Sequence, residues 1–275
     1  MDGKAILWVA TILLWLGTGL AWGQRDKVLA RRRSAYNDLR VIQEGHERIL
    51  KVRQGKVFVE ESRCDMRRPA HLLHQYSRLQ MLSTLYPRSF SQVLVVGLGG
   101  ASLSKALIAQ FPDLHVDSIE LDPEIVKLSR QYFGYRESER CRSIVGDGRA
   151  YLEKTHKTYD LIVLDAFDGL EIPAPLRTVE FYQRVKARLN EGGVAVSNLH
   201  RRSGNYDRDR ASLAAVFLHT VGFQGTGLVE VISSSQPLQP QLQRWKASWG
   251  FEAQPLLQLT QAVPDYNPGA QPFED

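Results

Sequence analysis

Apolar and polar residues alternate along residues 38–62, and two glycines interrupt the alternation. Alternation at every second residue is typical of a strand with one buried face, and a glycine between two such runs is typical of a turn. We therefore predict a small N-terminal β-hairpin region over residues 34–68. Over residues 69–85 the period becomes helical. The apolar residues that share one face of this predicted helix are Leu72, Leu73, Tyr76, Leu79 and Leu82.

From Gln92 onward, short apolar runs alternate with amphipathic stretches of helical period, the last of these over residues 208–222. Near-continuous apolar strands that alternate with helices indicate a parallel sheet with both faces covered. The predicted fold class is α/β, with a doubly wound, mostly parallel sheet over residues 69–235. Residues 236–275 are expected to hold one short helix and an irregular tail. The predicted strands are QVLVVG, HVDSIELD, CRSIVGD, YDLIVLDAF, GGVAVSNLH and GLVEVISSS.

Residues 1–23 contain an apolar run, residues 5–22, without a charged side chain. A run of this length is close to the minimum that spans a bilayer, and it exceeds the apolar core of a typical signal peptide. Ala21 and Gly23 are small residues at the spacing of a cleavage site, whereas the basic cluster that follows favours a cytoplasmic domain. Two expectations stay open: an inner-membrane anchor facing the cytoplasm, or export after signal cleavage.

Much of the formal net charge of +5 comes from basic residues at positions 25–33, directly after the apolar run. A nucleic-acid site needs basic residues spread over a folded face, so no nucleic-acid partner is expected. The two cysteines, Cys64 and Cys141, and the seven histidines lack the spacing of metal ligands. No metal is expected either.

Glycines and acids recur at the predicted carboxyl ends of four successive strands. In a doubly wound sheet, ligands bind beyond these ends, near the point where the strand order reverses. Glu120 lies about where an acid would bind ribose hydroxyls, and Asp147 lies in a turn suited to an adenine amine. Together these residues predict a nucleoside pocket that favours a cation. They are Gly97, Gly99 and Gly100 after the first strand, Glu120 after the second, Asp147 and Gly148 after the third, and Asp165 and Asp168 after the fourth.

Each of these residues alone also has a structural interpretation, because glycines are common at strand–helix turns and Asp147 could cap the helix after it. The loop reads GLGGAS, so Ser102 stands where a dinucleotide fingerprint has its third glycine. Lys105 falls outside the phosphate-binding G-x-x-x-x-G-K pattern. The loop therefore favours a nucleoside without phosphates. The cationic sulfonium of S-adenosylmethionine suits the acid-lined pocket.

With these motifs, residues 34–235 resemble the spermidine synthase (polyamine aminopropyltransferase) family, which has a methyltransferase-type Rossmann fold. The resemblance is carried by GLGG, SIELDPEIVKLSRQYF, VGDGRAYL and YDLIVLDAFD, the last similar to the family's D-x-x-D motif. It implies that Asp165 deprotonates the attacking amine and that Asp168 holds a cationic amine. It also implies that Asn37 and Glu61, near positions where the family has glutamines, bind substrate.

One departure from the family concerns the donor. The family's glycine loop carries an aspartate where this chain has Gly100, and in the synthases that acid meets the amine of decarboxylated S-adenosylmethionine. Aminopropyl transfer from that donor is therefore one hypothesis, favoured by the presence of Asp165 and Asp168. Methyl transfer from S-adenosylmethionine is the alternative, and a non-catalytic nucleoside- or polyamine-binding module is the third. The expected partner is a putrescine-like amine, and a homodimer stays open.

Overall fold

The computed structural model of the chain describes residues 26–167, 171–251 and 266–275. The apolar segment at residues 1–23 and Asp168 lie outside these described residues. Among the helices that are described, none is both long and apolar enough to cross a bilayer. Anchoring and cleavage of the N-terminal segment therefore stay predictions.

A four-stranded antiparallel sheet forms the N-terminal part of the described chain. Its strands are β1 (Lys27–Arg33), β2 (Asp38–Glu44), β3 (Glu47–Gln54) and β4 (Val57–Asp65). Each strand pairs with the next in sequence, as the alternating pattern predicts. The sheet starts at Lys27, before the boundary predicted at residue 34. The sequence pattern did not predict β1, because it is an edge strand in which only Ala30 is buried.

A mixed sheet of seven strands follows. Its strands are β5 (Gln92–Val96), β6 (His115–Glu120), β7 (Cys141–Val145), β8 (Tyr159–Leu164), β9 (Leu189–His200), β10 (His219–Gln224) and β11 (Leu228–Ser234). They lie in the order β10-β11-β9-β8-β5-β6-β7. Strands β5 to β9 are parallel, and β11 runs antiparallel to β9 and β10. The predicted α/β class with a mostly parallel sheet is confirmed.

Helices cover both faces of this sheet. In the described residues they are α1 (Gln75–Leu82), α2 (Ser102–Gln110), α3 (Pro123–Tyr132), α4 (Gly148–Lys154), α5 (Val179–Ala187) and α6 (Tyr206–Val216). Val93 and Val95 of β5 belong to the core cluster with α1 and α2, whereas Leu94 and Val96 belong to the cluster with α5 and α6. Since successive strand residues point to opposite faces, burial on both faces explains the continuous apolar run.

The structure differs from the sequence prediction over residues 208–222, and it adds detail to the prediction for residues 236–275. The helix predicted over residues 208–222 was too long, because it ends at Val216 and the chain turns back to pair β10 with β11. Short 3₁₀ turns occupy Leu242–Arg244 and Ala247–Trp249. Residues 266–275 pack on α5 and α6: the Phe273 carbonyl accepts a hydrogen bond from the Val179 amide at 2.8 Å.

The strand order reverses between β5 and β8, which opens a crevice at their carboxyl ends. Chain order runs from β5 through β6 to β7 on one side and from β8 to β9 on the other. The N-terminal sheet reaches this crevice through β4, where Ser62 Oγ accepts a hydrogen bond from the Gly100 amide at 2.9 Å. The two sheets therefore meet at the place where a ligand would bind.

Candidate active site

A cleft of about 460 Å³ lies at this crevice, lined by the strand ends of the seven-stranded sheet on one side and by β3, β4 and α1 on the other. Gly100 does not line it, and Asp168 lies outside the described residues. The predicted site residues that do line it are Asn37, Glu61, Gly97, Gly99, Glu120, Asp147, Gly148 and Asp165. The structure thus brings most of the predicted residues together from both sheets.

Gly97 brings the glycine loop into contact with the strand end that carries Asp165. Its φ of 102° lies in the left-handed region that favours glycine. A Cβ atom at this position would lie 2.3 Å from the backbone carbonyl oxygen of Asp165. A side chain is therefore excluded, and the loop lies directly against the backbone of Asp165.

Gly100 faces the N-terminal sheet beneath the loop. A Cβ atom here would lie 3.0 Å from Ser62 Cβ and 3.1 Å from the ring of Phe133. Ala101 follows with a φ of 56°, which is unusual for a residue with a side chain. An aspartate of the family type at position 100 would therefore require Ser62 or Phe133 to shift by a few tenths of an ångström.

Glu120, at the end of β6, holds the glycine loop. Its Oε2 accepts hydrogen bonds from the amides of Leu98 at 3.0 Å and Gly99 at 3.4 Å. Its Oε1 accepts one from the amide of Asp122 at 3.0 Å. Glu120 is 8% exposed, and burial raises the pKa of its carboxyl group. Oε1 accepts one hydrogen bond and keeps a further lone pair, so the geometry is compatible with binding a ribose hydroxyl as well.

Asp122 joins the two sheets at the rim of the cleft. Its Oδ1 accepts a hydrogen bond from the Glu124 amide at 2.9 Å and so caps α3. Its Oδ2 accepts hydrogen bonds from Ser34 Oγ at 2.6 Å and from Asn37 Nδ2 at 3.1 Å. Asn37 is therefore held at the cleft by a residue of the other sheet.

Asp147 begins α4, where its Oδ1 accepts a hydrogen bond from the Ala150 amide at 2.7 Å. This is the capping role that the sequence offered as an alternative. Asp147 and Gly148 also line the cleft beside Gly146. Capping and contact with a ligand are compatible here, and the role toward adenine stays a prediction.

Asp165 follows β8 and is partly exposed to the cleft. Its Oδ1 accepts a hydrogen bond from Asn198 Nδ2 at 2.9 Å. Burial raises the pKa of the Asp165 carboxyl group, while Asn198, Gln80 and the nearby His74 act in the opposite direction. A half-buried carboxyl group with one oxygen held in place is suited to accept a proton from a bound amine.

Glu61 of β4 adds a further carboxyl group near Asp165. Burial, followed by the negative charges of Asp165 and Glu120, raises the pKa of Glu61 to about 7. The neighbouring Glu60 is paired with Arg63, whose Nε donates to it at 2.8 Å. By contrast, no salt bridge is formed among the described residues by the other acidic side chains that line the cleft, which are Glu61, Glu120, Asp122, Asp147 and Asp165. In the described part of the chain, no group of three or more His, Cys, Asp or Glu side chains could hold a metal ion.

Several polar side chains that line the cleft were not assigned to it from the sequence, among them Tyr76, Gln80 and Asn198. Tyr76 fits the apolar face of the predicted helix, but its ring stacks on His74 with centroids 5.4 Å apart. Gln80, one turn later in α1, is only 1% exposed. Gln80 and Asn198 could have been predicted as site residues, because each is a polar residue within an otherwise apolar helix or strand pattern.

The sequence profile of the family described as "Spermine/spermidine synthase domain" matches residues 79–223, more than half of the chain. The chain belongs to this family. It is a transferase of the polyamine aminopropyltransferase family, so the resemblance inferred from the motifs is confirmed. The matched range contains the glycine loop and the acids at all four strand ends.

Three similar proteins show how widely this fold is used. A polyamine aminopropyltransferase from Vibrio vulnificus is 29% identical over 266 residues, which cover 93% of this chain and 88% of that protein. A spermidine synthase solved in complex with the transition-state analogue AdoDATO has a TM-score of 0.67 and 16% identity, covering 86% of each chain. Human methyltransferase-like protein 13, solved in complex with SAH, has a TM-score of 0.55 and 26% identity, covering 69% of this chain and 90% of that one.

Proposed function

We propose that this chain transfers the aminopropyl group of decarboxylated S-adenosylmethionine to an amine of the putrescine class, with Asp165 as the general base. The observation that carries the proposal is the position of Asp165, which lines an acid-lined cleft and whose backbone lies directly against the glycine loop. A cationic sulfonium and a cationic amine are both attracted to such a cleft. The sulfonium supplies the leaving group, so the proposal calls for no metal.

In this reaction, the nitrogen lone pair of the acceptor attacks the propyl carbon bonded to the sulfonium sulfur, and that C–S bond breaks. Sulfur keeps the bonding electron pair, so methylthioadenosine leaves as a neutral thioether. The proton of the attacking nitrogen passes to the Asp165 carboxylate before or during the attack. The cleft contributes mainly by holding the two partners for in-line displacement.

The nucleoside of the donor is proposed to lie across the strand ends of β5, β6 and β7. Gly97 and Gly99 allow close approach of the loop backbone, and Glu120 accepts hydrogen bonds from the ribose hydroxyls. Asp147, with Gly148 beside it, accepts a hydrogen bond from the adenine amine. Leu121, 45% exposed and lining the cleft, supplies apolar surface for the base.

The acceptor is proposed to bind on the side formed by the N-terminal sheet. Glu61 of β4 and Asn37 face the cleft from that side, and the carboxylate of Glu61 attracts a cationic amine. Asp168 is assigned the same task. Its role rests on the similarity of DAFD to the family's D-x-x-D motif.

Methyl transfer from S-adenosylmethionine is a second candidate for the same site. It is favoured by Gly100, which leaves the loop without the acid that would repel the carboxylate of the intact donor. The similar human methyltransferase-like protein, solved in complex with SAH, supports the same candidate. Both candidates use one nucleoside pocket and differ in the group that leaves the sulfur.

The test measures product release from both donors by the wild-type protein, Asp165→Asn and Asp113→Asn. Asp113 is an exposed acid that does not line the cleft, so its variant is the matched control. We expect methylthioadenosine release, reduced about 10²–10⁴-fold in Asp165→Asn with unchanged methylthioadenosine affinity. Release of S-adenosylhomocysteine instead would support the second candidate. If Asp165→Asn turns over as fast as the wild type, the general-base role is contradicted. If the wild type binds methylthioadenosine but turns over neither donor, the non-catalytic binding module is the hypothesis that remains.

A further inference from the structure

Glu230 of β11 places a carboxyl group behind the candidate base. It is 0% exposed and does not line the cleft. Neither of its carboxyl oxygens has a hydrogen-bond partner among the described residues. Burial of an ionised carboxylate without partners is strongly unfavourable. In agreement, burial and the nearby charge of Asp165 raise the pKa of Glu230 well above its ordinary value, so Glu230 keeps its proton.

The pairing of β11 with β9 sets Glu230 directly opposite Asn198. Side chains in this relation share one face of the sheet, with Cβ atoms about 4.5–5.5 Å apart. Asn198 Nδ2 donates its hydrogen bond to Asp165 Oδ1 at 2.9 Å. Asn198 Oδ1, at the other end of the same amide, is buried and has no donor among the described residues.

We propose that Glu230 is a positioning residue for Asp165: as a neutral carboxylic acid it donates a hydrogen bond to Asn198 Oδ1 and so turns Asn198 Nδ2 toward the base. This inference rests on the proposed role of Asp165. A neutral carboxylic acid has one O–H donor, and the opposite residue has one acceptor that needs it. Rotation of the Glu230 side chain closes the contact. A hydrogen bond to Asn198 Oδ1 fixes the orientation of the amide group and therefore the direction in which Nδ2 donates.

The surroundings of Glu230 contain two ionisable groups that act on it or respond to it, Asp165 after β8 and Tyr76 on α1. Burial raises the pKa of Tyr76 far above its ordinary value, so Tyr76 stays neutral. On β10 the residue opposite Glu230 is the apolar Phe223. The Gln80 side chain lowers the pKa of both carboxyl groups but has no hydrogen bond of its own among the described residues.

The consequence for catalysis is that two neighbouring carboxyl groups hold different charges. A hydrogen bond donated to the ionised form of an acid lowers its pKa. With Asn198 aimed at it, Asp165 is ionised at a lower pH than burial alone would allow, and it is ready to take a proton. At Glu230 burial and the charge of Asp165 outweigh the opposite effect of Gln80 on the pKa, so Glu230 stays neutral. Environments that separate two carboxyl groups in this way assign acid and base roles in many enzymes.

The first experiment measures unfolding of the full-length wild type and of Glu230→Gln against pH, without substrate. The native wild type keeps a proton that the unfolded chain releases above about pH 4.3. Linkage then makes the unfolding constant of the wild type, relative to Glu230→Gln, rise about tenfold per pH unit between about pH 5 and 7. If the ratio of the two unfolding constants does not change with pH, Glu230 is ionised in the native protein. That result would overturn the proposal about Glu230 and leave the proposed function untouched.

The second experiment measures the pH dependence of kcat/KM. In Glu230→Leu, the rising limb of this pH dependence should shift to higher pH by about one unit, because about one hydrogen bond is lost. The KM for the donor should stay unchanged. Glu230→Gln keeps a neutral donor and should leave the limb in place. Ser233→Ala, a buried polar site on the opposite face of β11, is the matched control.

If Glu230→Leu lowers the melting temperature but leaves the rising limb of the pH dependence of kcat/KM in place, Glu230 has only a structural role. That result would overturn the proposal. A downward shift in Glu230→Gln would do the same, because it would mean that a negative charge had been removed beside Asp165. If the wild type turns over neither donor, the proposed function fails and the positioning role fails with it. The unfolding ratio separates that outcome from an error about Glu230 itself.

Discussion

Replacing Gly100 by aspartate would restore the acid that spermidine synthases carry in the glycine loop, and the structure predicts that this substitution destabilises the protein. The new Cβ atom would lie 3.0 Å from Ser62 Cβ and 3.1 Å from the Phe133 ring, against about 3.5–4.0 Å for carbon atoms in contact. Overpacking of this kind costs about 1–3 kcal/mol. At about 2–4 °C per kcal/mol, the melting temperature should fall by about 2–12 °C.

Thermal unfolding of Gly100→Ala, Ser62→Gly, the double variant and one control separates the causes. Gly100→Ala isolates the Cβ contact, and adding Ser62→Gly removes the nearest atoms, so the double variant should lose less stability than the sum of the single ones. Gly204→Ala is the matched control, because nothing lies within 4 Å of the Cβ atom it would add. A Gly100→Ala protein with the melting temperature of the wild type would refute the packing argument.

The same substitution bears on donor choice. An acid that displaces Ser62 and Phe133 disturbs the loop that both donors would use. We therefore expect Gly100→Asp to lower kcat/KM with decarboxylated and with intact S-adenosylmethionine. A stable Gly100→Asp protein whose kcat/KM ratio moves toward the decarboxylated donor would show that the loop accepts the acid after all.

Three further predictions concern the cleft and the C-terminal residues. Since the pKa of Glu61 is about 7, its charge grows as pH rises through 7 and the KM for a cationic acceptor should fall; in Glu61→Gln the KM should stay level. Glu120→Ala should weaken methylthioadenosine binding by about 1.5–3 kcal/mol in calorimetry, and unchanged affinity would contradict the ribose role. Phe273→Ala removes a ring whose centroid lies 3.6 Å from Arg208 Cζ and 4.6 Å from Arg177 Cζ. Its melting temperature should fall by about 2–8 °C, whereas Leu218→Ala, at a site 79% exposed, should leave it unchanged.

The parallel sheet could be predicted because its central strands are buried on both faces and therefore contain continuous apolar runs, as in residues 93–96. Strand β1 could not, since its edge position leaves a single buried residue. Residues 208–222 read as one helix because local spacing carries no information about β11. Pairing with that later strand makes residues 219–224 extended.

The acids of the cleft were predictable for a geometric reason: parallel strands bring their carboxyl ends to one edge. No such rule places Asn37 or Glu61 there, so these two came only from the family resemblance. The space around Gly100 depends on Ser62, 38 positions earlier in the chain. The surroundings of Glu230 depend on the register between β9 and β11. Neither contact leaves a local signal in the sequence.

The four-stranded N-terminal sheet pairs only strands that follow each other, whereas β5 pairs with β8 across the whole of β6 and β7. Closing long loops costs more entropy and slows folding. The N-terminal sheet is therefore expected to form early, and the larger sheet only once β8 and β9 are present. The cleft would be completed last, when Asn37 reaches Asp122 and Ser62 reaches Gly100. Substitutions at Asn37 or Ser62 should then speed the separation of the two sheets during unfolding while leaving their initial formation unchanged.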